Sequence, residues 1–203
     1  MKKLLSLMLT LMLILGCVPA LAASEGYADY THPTQGYSLE YPQSWLALDS
    51  ANIESLMTDL SANPALATLN LDAVLPQITQ MQMTMFVDIN GSNINVVRQS
   101  VGMAITAEQF MPMMPQMLSQ VTAALPGAQV LEEGTLYTIG DHQYCNLCIS
   151  YNLAGSDLYA FQFYTFSGTD MYLITLTMNP ASDMDAVAEY TDHLLATLEF
   201  PAN

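Results

Sequence analysis

The chain has 203 residues, of which 52% are hydrophobic and 11% charged, with 19 Asp and Glu against three Lys and Arg. This hydrophobicity excludes a disordered chain, which needs few apolar residues and high charge to resist collapse, and it gives a single domain a sizeable core. A formal charge of −16 makes nucleic acid a very poor partner, because phosphates must be neutralised by Lys and Arg, and disfavours an anionic membrane surface for the same reason.

Residues 1–22 read as a signal peptide: Lys2 and Lys3, the apolar run Leu4 to Leu15, then small residues ending in Ala20-Leu21-Ala22. The run is too short for a secure transmembrane helix. Ile14-Leu15-Gly16-Cys17 resembles a bacterial lipobox, in which Cys17 would be lipidated and become the new N-terminus. Leu15 is unusual at its position, and the Ala-x-Ala site matches its own pattern better. Either route places residues 23–203, one domain, outside the cytoplasm, secreted or associated with the cell envelope. Without Lys2 and Lys3, Arg98 alone stands against the 19 acids, a formal charge of −18. Such acidity either attracts cations or a basic partner, or it is a solvated, self-repelling surface.

The rest of the chain is expected to fold as follows. A short strand lies near Tyr27 to Thr31, and a second runs through Gly36-Tyr-Ser-Leu-Glu-Tyr-Pro42 and ends at the proline, with Trp45 as an aromatic plug at the sheet edge. From Ser50 to Gln80 the pattern is helical but interrupted at Pro64 and Pro76, giving two or three short helices. Met81 to Asp88 and Asn93 to Ser100 form a hairpin around Asn90-Gly91, a strong turn signal. Thr106 to Leu125 is the main inner helix, capped by Thr106 and Gln109 and kinked at Pro115. A strand from Gln129 to Thr138 leads into three more from His142 to Met178, whose turns are rich in Gly, Ser and Asp. Tyr159, Phe161 and Phe163 share one face there and Leu158, Ala160, Tyr164 and Phe166 the other. Both faces are apolar, so both are covered. The closing helix has Ser182 as N-cap and a stripe of Met184, Val187, Thr191, Leu194, Leu195 and Leu198.

The stretch Gly36-Tyr-Ser-Leu-Glu-Tyr-Pro-Gln-Ser-Trp45, with the terminal meander and a last helix ending Leu198-Glu199-Phe200, resembles the superfamily of PsbP, the nuclear-import factor Mog and bacterial DcrB-like lipoproteins. The resemblance covers most of residues 23–203 by order of elements, and its one sharp motif is Gly36 to Trp45. It implies an α+β fold, an antiparallel sheet of about six strands with helices on both faces. It also implies docking on other macromolecules without shared catalytic residues. Function from fold is analogy, and no functional residue is carried over.

Three groups of residues bear on chemistry. Met81, Met83 and Met85 recur at period two and would share a strand face, while Met111, Met113, Met114 and Met117 crowd a helix start. Thioethers are Cu(I) ligands, but these positions also follow the apolar periodicity of a core, where methionine fills gaps. The candidate metal ligands are Met81, Met83, Met85, Met113 and Met117. Asp88 to Asn93 has letters of a calcium loop without the Glu that closes an EF-hand, and a turn is the simpler reading. His142-x-x-Cys145-x-x-Cys148 has letters of a zinc site, yet a strand puts Cys145 on the face opposite His142 and Cys148. Two separate buried thiols come first, ahead of a disulfide, a metal or redox chemistry.

No serine occupies a nucleophile elbow, no Gly-rich phosphate loop is present, and His193 reads as a surface residue. Glu132-Glu133 reads as a solvated hairpin. No catalytic residue and no cofactor are expected. The expected role is a non-catalytic extracytoplasmic binding or adaptor module with a protein partner at the cell envelope. The alternatives are a metal binder, taking Cu(I) through methionines or Ca(II) through acids, and a small-ligand binder with a pocket beneath the broken helices.

Overall fold

The computed structural model describes residues 26–53, 75–125, 127–153, 156–180 and 182–201. The predicted signal peptide with Cys17, and the predicted broken helices between 54 and 74, lie outside these residues. The described residues form two antiparallel sheets. β1 (Tyr27–Thr31) and β2 (Ser38–Pro42) pair as a hairpin of their own. The larger sheet contains β3 (Leu46–Leu48), β4 (Thr84–Val87), β5 (Asn93–Ser100), β6 (Gln129–Ile139), β7 (His142–Leu153), β8 (Ser156–Ser167) and β9 (Asp170–Met178), in the order β3-β4-β5-β9-β8-β7-β6. The predicted meander is β6 to β9, and β9 closes the topology by pairing with β5. The expected sheet of about six strands is thus one of seven plus a separate hairpin.

The helices are α1 (Leu75–Met81), α2 (Ala107–Phe110), α3 (Met114–Ala124) and α4 (Met184–Thr197). The single helix expected from Thr106 to Leu125 is in fact α2, a 3₁₀ turn over Met111–Met113, and α3. The capping box is present: the Gln109 amide donates to Thr106 Oγ1 at 3.2 Å and the Thr106 amide to Gln109 Oε1 at 3.0 Å. Pro112 falls in the 3₁₀ turn and Pro115 in the first turn of α3, where a missing N–H costs no helical bond, so the expected kink is a restart.

The N-cap of α4 is Asp183, whose Oδ1 accepts from the amides of Asp185 and Ala186, both at 3.1 Å. Ser182, the expected cap, is used elsewhere. Its hydroxyl lies 2.6 Å from Ser92 Oγ and donates to Asp88 Oδ2 at 3.2 Å, latching the β4–β5 turn to the start of α4. Burial pushes the Asp88 carboxyl above the usual range. The expected strand from Met81 begins only at Thr84, because Met81 ends α1 and Gln82 turns the chain with a φ of 48°.

Two apolar cores follow from alternation along the strands. Val187, Leu194 and Leu195 of α4 pack with Tyr144, Phe163, Ile174, Leu176, Trp45 and Tyr37. Phe110, Met114 and Val121 pack with the other parity of the same strands, Cys145, Leu147, Ile149, Ala160 and Leu173.

Candidate functional site

β6 ends the sheet and is the most exposed of its strands. Leu131 is 53% exposed, and Val130, Leu136 and Tyr137 are each exposed by more than a third. Its register with β7 pairs Glu132 with Cys148, Thr135 with Asn146 and Tyr137 with Tyr144, with shifts between Val130 and Glu132 and between Glu132 and Thr135. Five residues apart on a regular strand, Glu132 and Tyr137 would face opposite ways. Three residues instead of two separate Glu132 from Thr135 along one face, so the phase reverses and both side chains face Asn146. Gly134 sits in this bulge with a φ of 70°, and a Cβ there would lie 3.0 Å from Met114 Cβ.

Behind β6 this geometry opens a cleft of about 240 Å³ between α4 and the sheet. Phe161, Phe163, Leu176 and Met178 form its apolar floor, and Ala188, Thr191 and Asp192 contribute the helical wall. Glu132, Tyr137, Ile139 and Asn146 line the strand side. The Tyr137 hydroxyl donates to Glu132 Oε1 at 2.6 Å and Asn146 Nδ2 to Glu132 Oε2 at 3.1 Å. That bond to Glu132 is the main cause of a raised Tyr137 pKa. Asn146 is 4% exposed, and its Oδ1 has no hydrogen-bond partner. Of the three polar residues Glu132, Tyr137 and Asn146, the sequence pattern singles out only Glu132, as part of a solvated hairpin.

The residues singled out from the sequence are placed elsewhere. Met81 ends α1, Met83 precedes β4 and Met85 lies on it, the last two fully buried. Met113 is 41% exposed in the 3₁₀ turn and Met117 lies half-buried on α3, which packs on β6 and β7. Four strand steps separate β4 from β7, roughly 19 Å at the usual spacing. The two methionine groups therefore do not converge, and Met81, Met83 and Met85 do not share a strand face. Among the described residues no three His, Cys, Asp or Glu side chains converge on a point that could hold a metal ion.

Cys145 and Cys148 are free buried thiols of opposite parity on β7. The Cys145 Sγ–H donates to the Ala107 carbonyl at 2.8 Å. Burial pushes both thiols up to about 11, which keeps them protonated and poorly nucleophilic.

The histidines serve packing. His142 Nε2 bonds the Leu198 carbonyl at 2.6 Å, and His193 lies 2.7 Å from Glu40 and stacks on Tyr27 at 3.6 Å. Arg98, the one basic residue beyond the predicted signal peptide, gives Nη2 and Nε to Asp170 Oδ2 at 2.6 and 3.1 Å and Nη1 to the Gln35 carbonyl at 2.9 Å.

No family model and no curated protein match the chain. Solved structures share its fold. A protein from Bacteroides thetaiotaomicron is 13% identical with a TM-score of 0.55, over 89% of this chain and 50% of its own, so this chain spans half its length. Cyanobacterial PsbP (CyanoP) from Synechocystis sp. PCC 6803 is 14% identical with a TM-score of 0.51, over 92% of this chain and 98% of its own. LpqN of Mycobacterium tuberculosis, involved in cell envelope biogenesis, is 13% identical with a TM-score of 0.52, over 87% and 91%. The fold is PsbP-like, and at these identities the likeness is one of fold alone.

Proposed function

We propose that this PsbP-like chain is a non-catalytic extracytoplasmic binding module that docks a basic, extended segment of a protein partner along the outer edge of β6. In this reading helices cover both faces of the sheet, in keeping with the two cores, and the edge is the backbone surface left for a partner. The observation that carries it is β6 itself. Its eleven residues have no strand neighbour on the outer side among the described residues, and they expose Val130, Leu131, Leu136 and Tyr137. An open edge offers a row of N–H and C=O groups to an added strand. Glu132, Glu133 and the bulge oppose pairing between two copies, because like charges would meet across the interface. The same charges, on a chain at −16, favour a basic strand.

The predicted signal peptide, with Cys17 as a possible lipid anchor, supports a place at the envelope, as does the shared fold of LpqN. No helix among the described residues is long and apolar enough to cross a membrane. A role as a Cu(I) or Ca(II) binder gains no support from the placement of the methionines and acids.

The test is photo-crosslinking in intact cells, with the reactive residue placed at Leu131 or, for comparison, at exposed Glu189 on α4. The expected result is a discrete adduct from position 131, mapped to a partner segment bearing Lys or Arg and weakened by high salt. Equal labelling from both positions, or none from 131, overturns the proposal.

A further inference from the structure

We infer that the strand docked on β6 is two-faced, with apolar side chains toward α3 and basic or hydroxylated ones toward α4. The inference rests on the docking reading above and adds the pattern the partner must carry. It follows from where the edge leaves its apolar surface. Among the described residues six large apolar side chains are exposed, and five of them, Met113, Val130, Leu131, Leu136 and Tyr137, lie on β6 or on the 3₁₀ turn packed against it. Single exposed apolar residues are ordinary, whereas a run of them along one edge marks a contact surface.

The register sorts these residues by face. Val130 pairs with Ile149 and Leu136 with Cys145, both in the core shared with Met114 and Val121 of α3, so their side chains stand on the α3 side of the sheet. Gly134 is on the same side, because a Cβ there would lie 3.0 Å from Met114 Cβ. Met113, 41% exposed, directly precedes Met114, and its unbranched thioether adapts to the side chain it meets. On the α4 side Glu132, Thr135 and Tyr137 stand opposite Cys148, Asn146 and Tyr144. That side offers a carboxylate, a hydroxyl and a partly exposed phenol ring.

A strand added outside extends both faces. The two shifts absorb the extra residues of β6, so residues opposite Glu132, Thr135 and Tyr137 would fall two apart on a regular strand, as Cys148, Asn146 and Tyr144 do on β7. The positions between them, and the one opposite Val130, turn to the α3 side and meet Val130, Leu136 and Met113. An Arg opposite Glu132 meets a carboxylate whose oxygens can each accept a bond beyond those from Tyr137 and Asn146, and an Arg opposite Tyr137 lies over its ring. The formal charge of −16 and the adjacent Glu132 and Glu133 repel an acidic strand and attract a basic one. The resulting pattern is apolar, basic, apolar, hydroxyl, apolar, basic.

The test is an NMR titration of the purified full chain with three hexapeptides, acetylated and amidated at their ends. The first is Val-Arg-Val-Thr-Val-Arg. The second has the same residues in the order Arg-Arg-Thr-Val-Val-Val, and the third is Val-Glu-Val-Thr-Val-Glu. The expected result is saturable shifts of the β6 amides with the first peptide and none with the third. The second should bind about tenfold more weakly, because its apolar side chains no longer share one face. Leu136→Ser should weaken the first peptide roughly tenfold by removing apolar area on the α3 side. Equal binding of the first two peptides overturns the two-faced pattern and leaves the docking reading standing. No saturable β6 shift with any peptide, or the third binding as tightly as the first, overturns the docking reading and this inference with it. Shifts of the β6 amides with protein concentration alone assign the edge to a second copy and overturn both.

Discussion

At the β4 end of the sheet a row of hydroxyls closes on an acid, whereas at the β6 end a tyrosine, an acid and a carboxamide leave one acceptor open. The closed row has a forced direction. The Tyr30 hydroxyl gives its proton to Asp49 Oδ2 at 2.7 Å, so Thr84 Oγ1, 2.9 Å away, must donate to Tyr30, and Tyr37 donates to Thr84 at 2.7 Å. Asp49 Oδ1 is filled by the amides of Ala51 and Asn52 at 2.7 and 3.0 Å. Burial raises the pKa of both tyrosines, so each stays a donor. Around Glu132 the row runs from Tyr137 and Asn146 into one carboxylate and ends at an unpaired Asn146 Oδ1 beside a cleft. Similar side chains thus end differently: the first row is closed on itself, and the second leaves one buried oxygen unpaired.

The largest effect should come from breaking the closed row at its middle. Thr84→Val keeps the shape and removes the hydroxyl, leaving the buried Tyr37 O–H without an acceptor and the Tyr30 oxygen without a donor. A loss of about 2–3 kcal/mol is expected. Urea denaturation with an unchanged slope is the measurement. A loss below about 0.5 kcal/mol, the size of an ordinary surface substitution, would show that the row does not hold this corner.

A second way to sharpen the contrast is acid. His32 lies 1% exposed beside the closed row. Its Nδ1 accepts from the amides of Thr34 and Gln35 at 3.2 and 3.1 Å, so Nε2 carries the proton and donates to the Gln82 carbonyl at 3.2 Å. Protonating Nδ1 would set a third donor against those two amides. Desolvation lowers the folded pKa below 6.5, with Arg98 lowering it further and Asp49 and the Gln82 bond opposing. The unfolded chain therefore binds the proton more readily. Stability is full above pH 6.5 and falls as the pH drops from 6.5 toward the folded value, by up to about 1.4 kcal/mol per pH unit. Thermal melts at pH 7.5 and 5.5 should show this loss, and His32→Gln should flatten it. A slope that survives the substitution would place the acid sensitivity elsewhere.

Much of this fold was legible because it depends on local periodicity. The parity of Tyr159, Phe161 and Phe163 against Leu158, Ala160 and Tyr164, the stripe of α4 and the Thr106 capping box are all written at short range. The errors arise where distant contacts choose between local options. Ser182 and Asp183 are both good N-caps, and a bond from Ser182 to Asp88, 94 residues earlier, decides between them. Met81 and Met85 fit a strand by alternation, but α1 runs through Met81. The cleft was hidden for a sharper reason. Strict alternation sets Glu132 and Tyr137 on opposite faces, and only the bulge at Gly134 unites them. A glycine inside a strand was the available signal. Nothing local marks Asn146 as the residue left with an open oxygen.

The smallest expected effect is the most discriminating. The Tyr137 hydroxyl is bonded to Glu132 Oε1 at 2.6 Å, as short as any bond in the closed row, but its ring is 38% exposed. Solvent can replace that bond, so Tyr137→Phe should change stability by no more than about 0.5 kcal/mol, in contrast to Thr84→Val. Urea denaturation of this one variant is the measurement. A stability loss above about 1.5 kcal/mol, the upper range of a net hydrogen bond, would make the β6 corner a second closed row, and the contrast between the two ends of the sheet would fail.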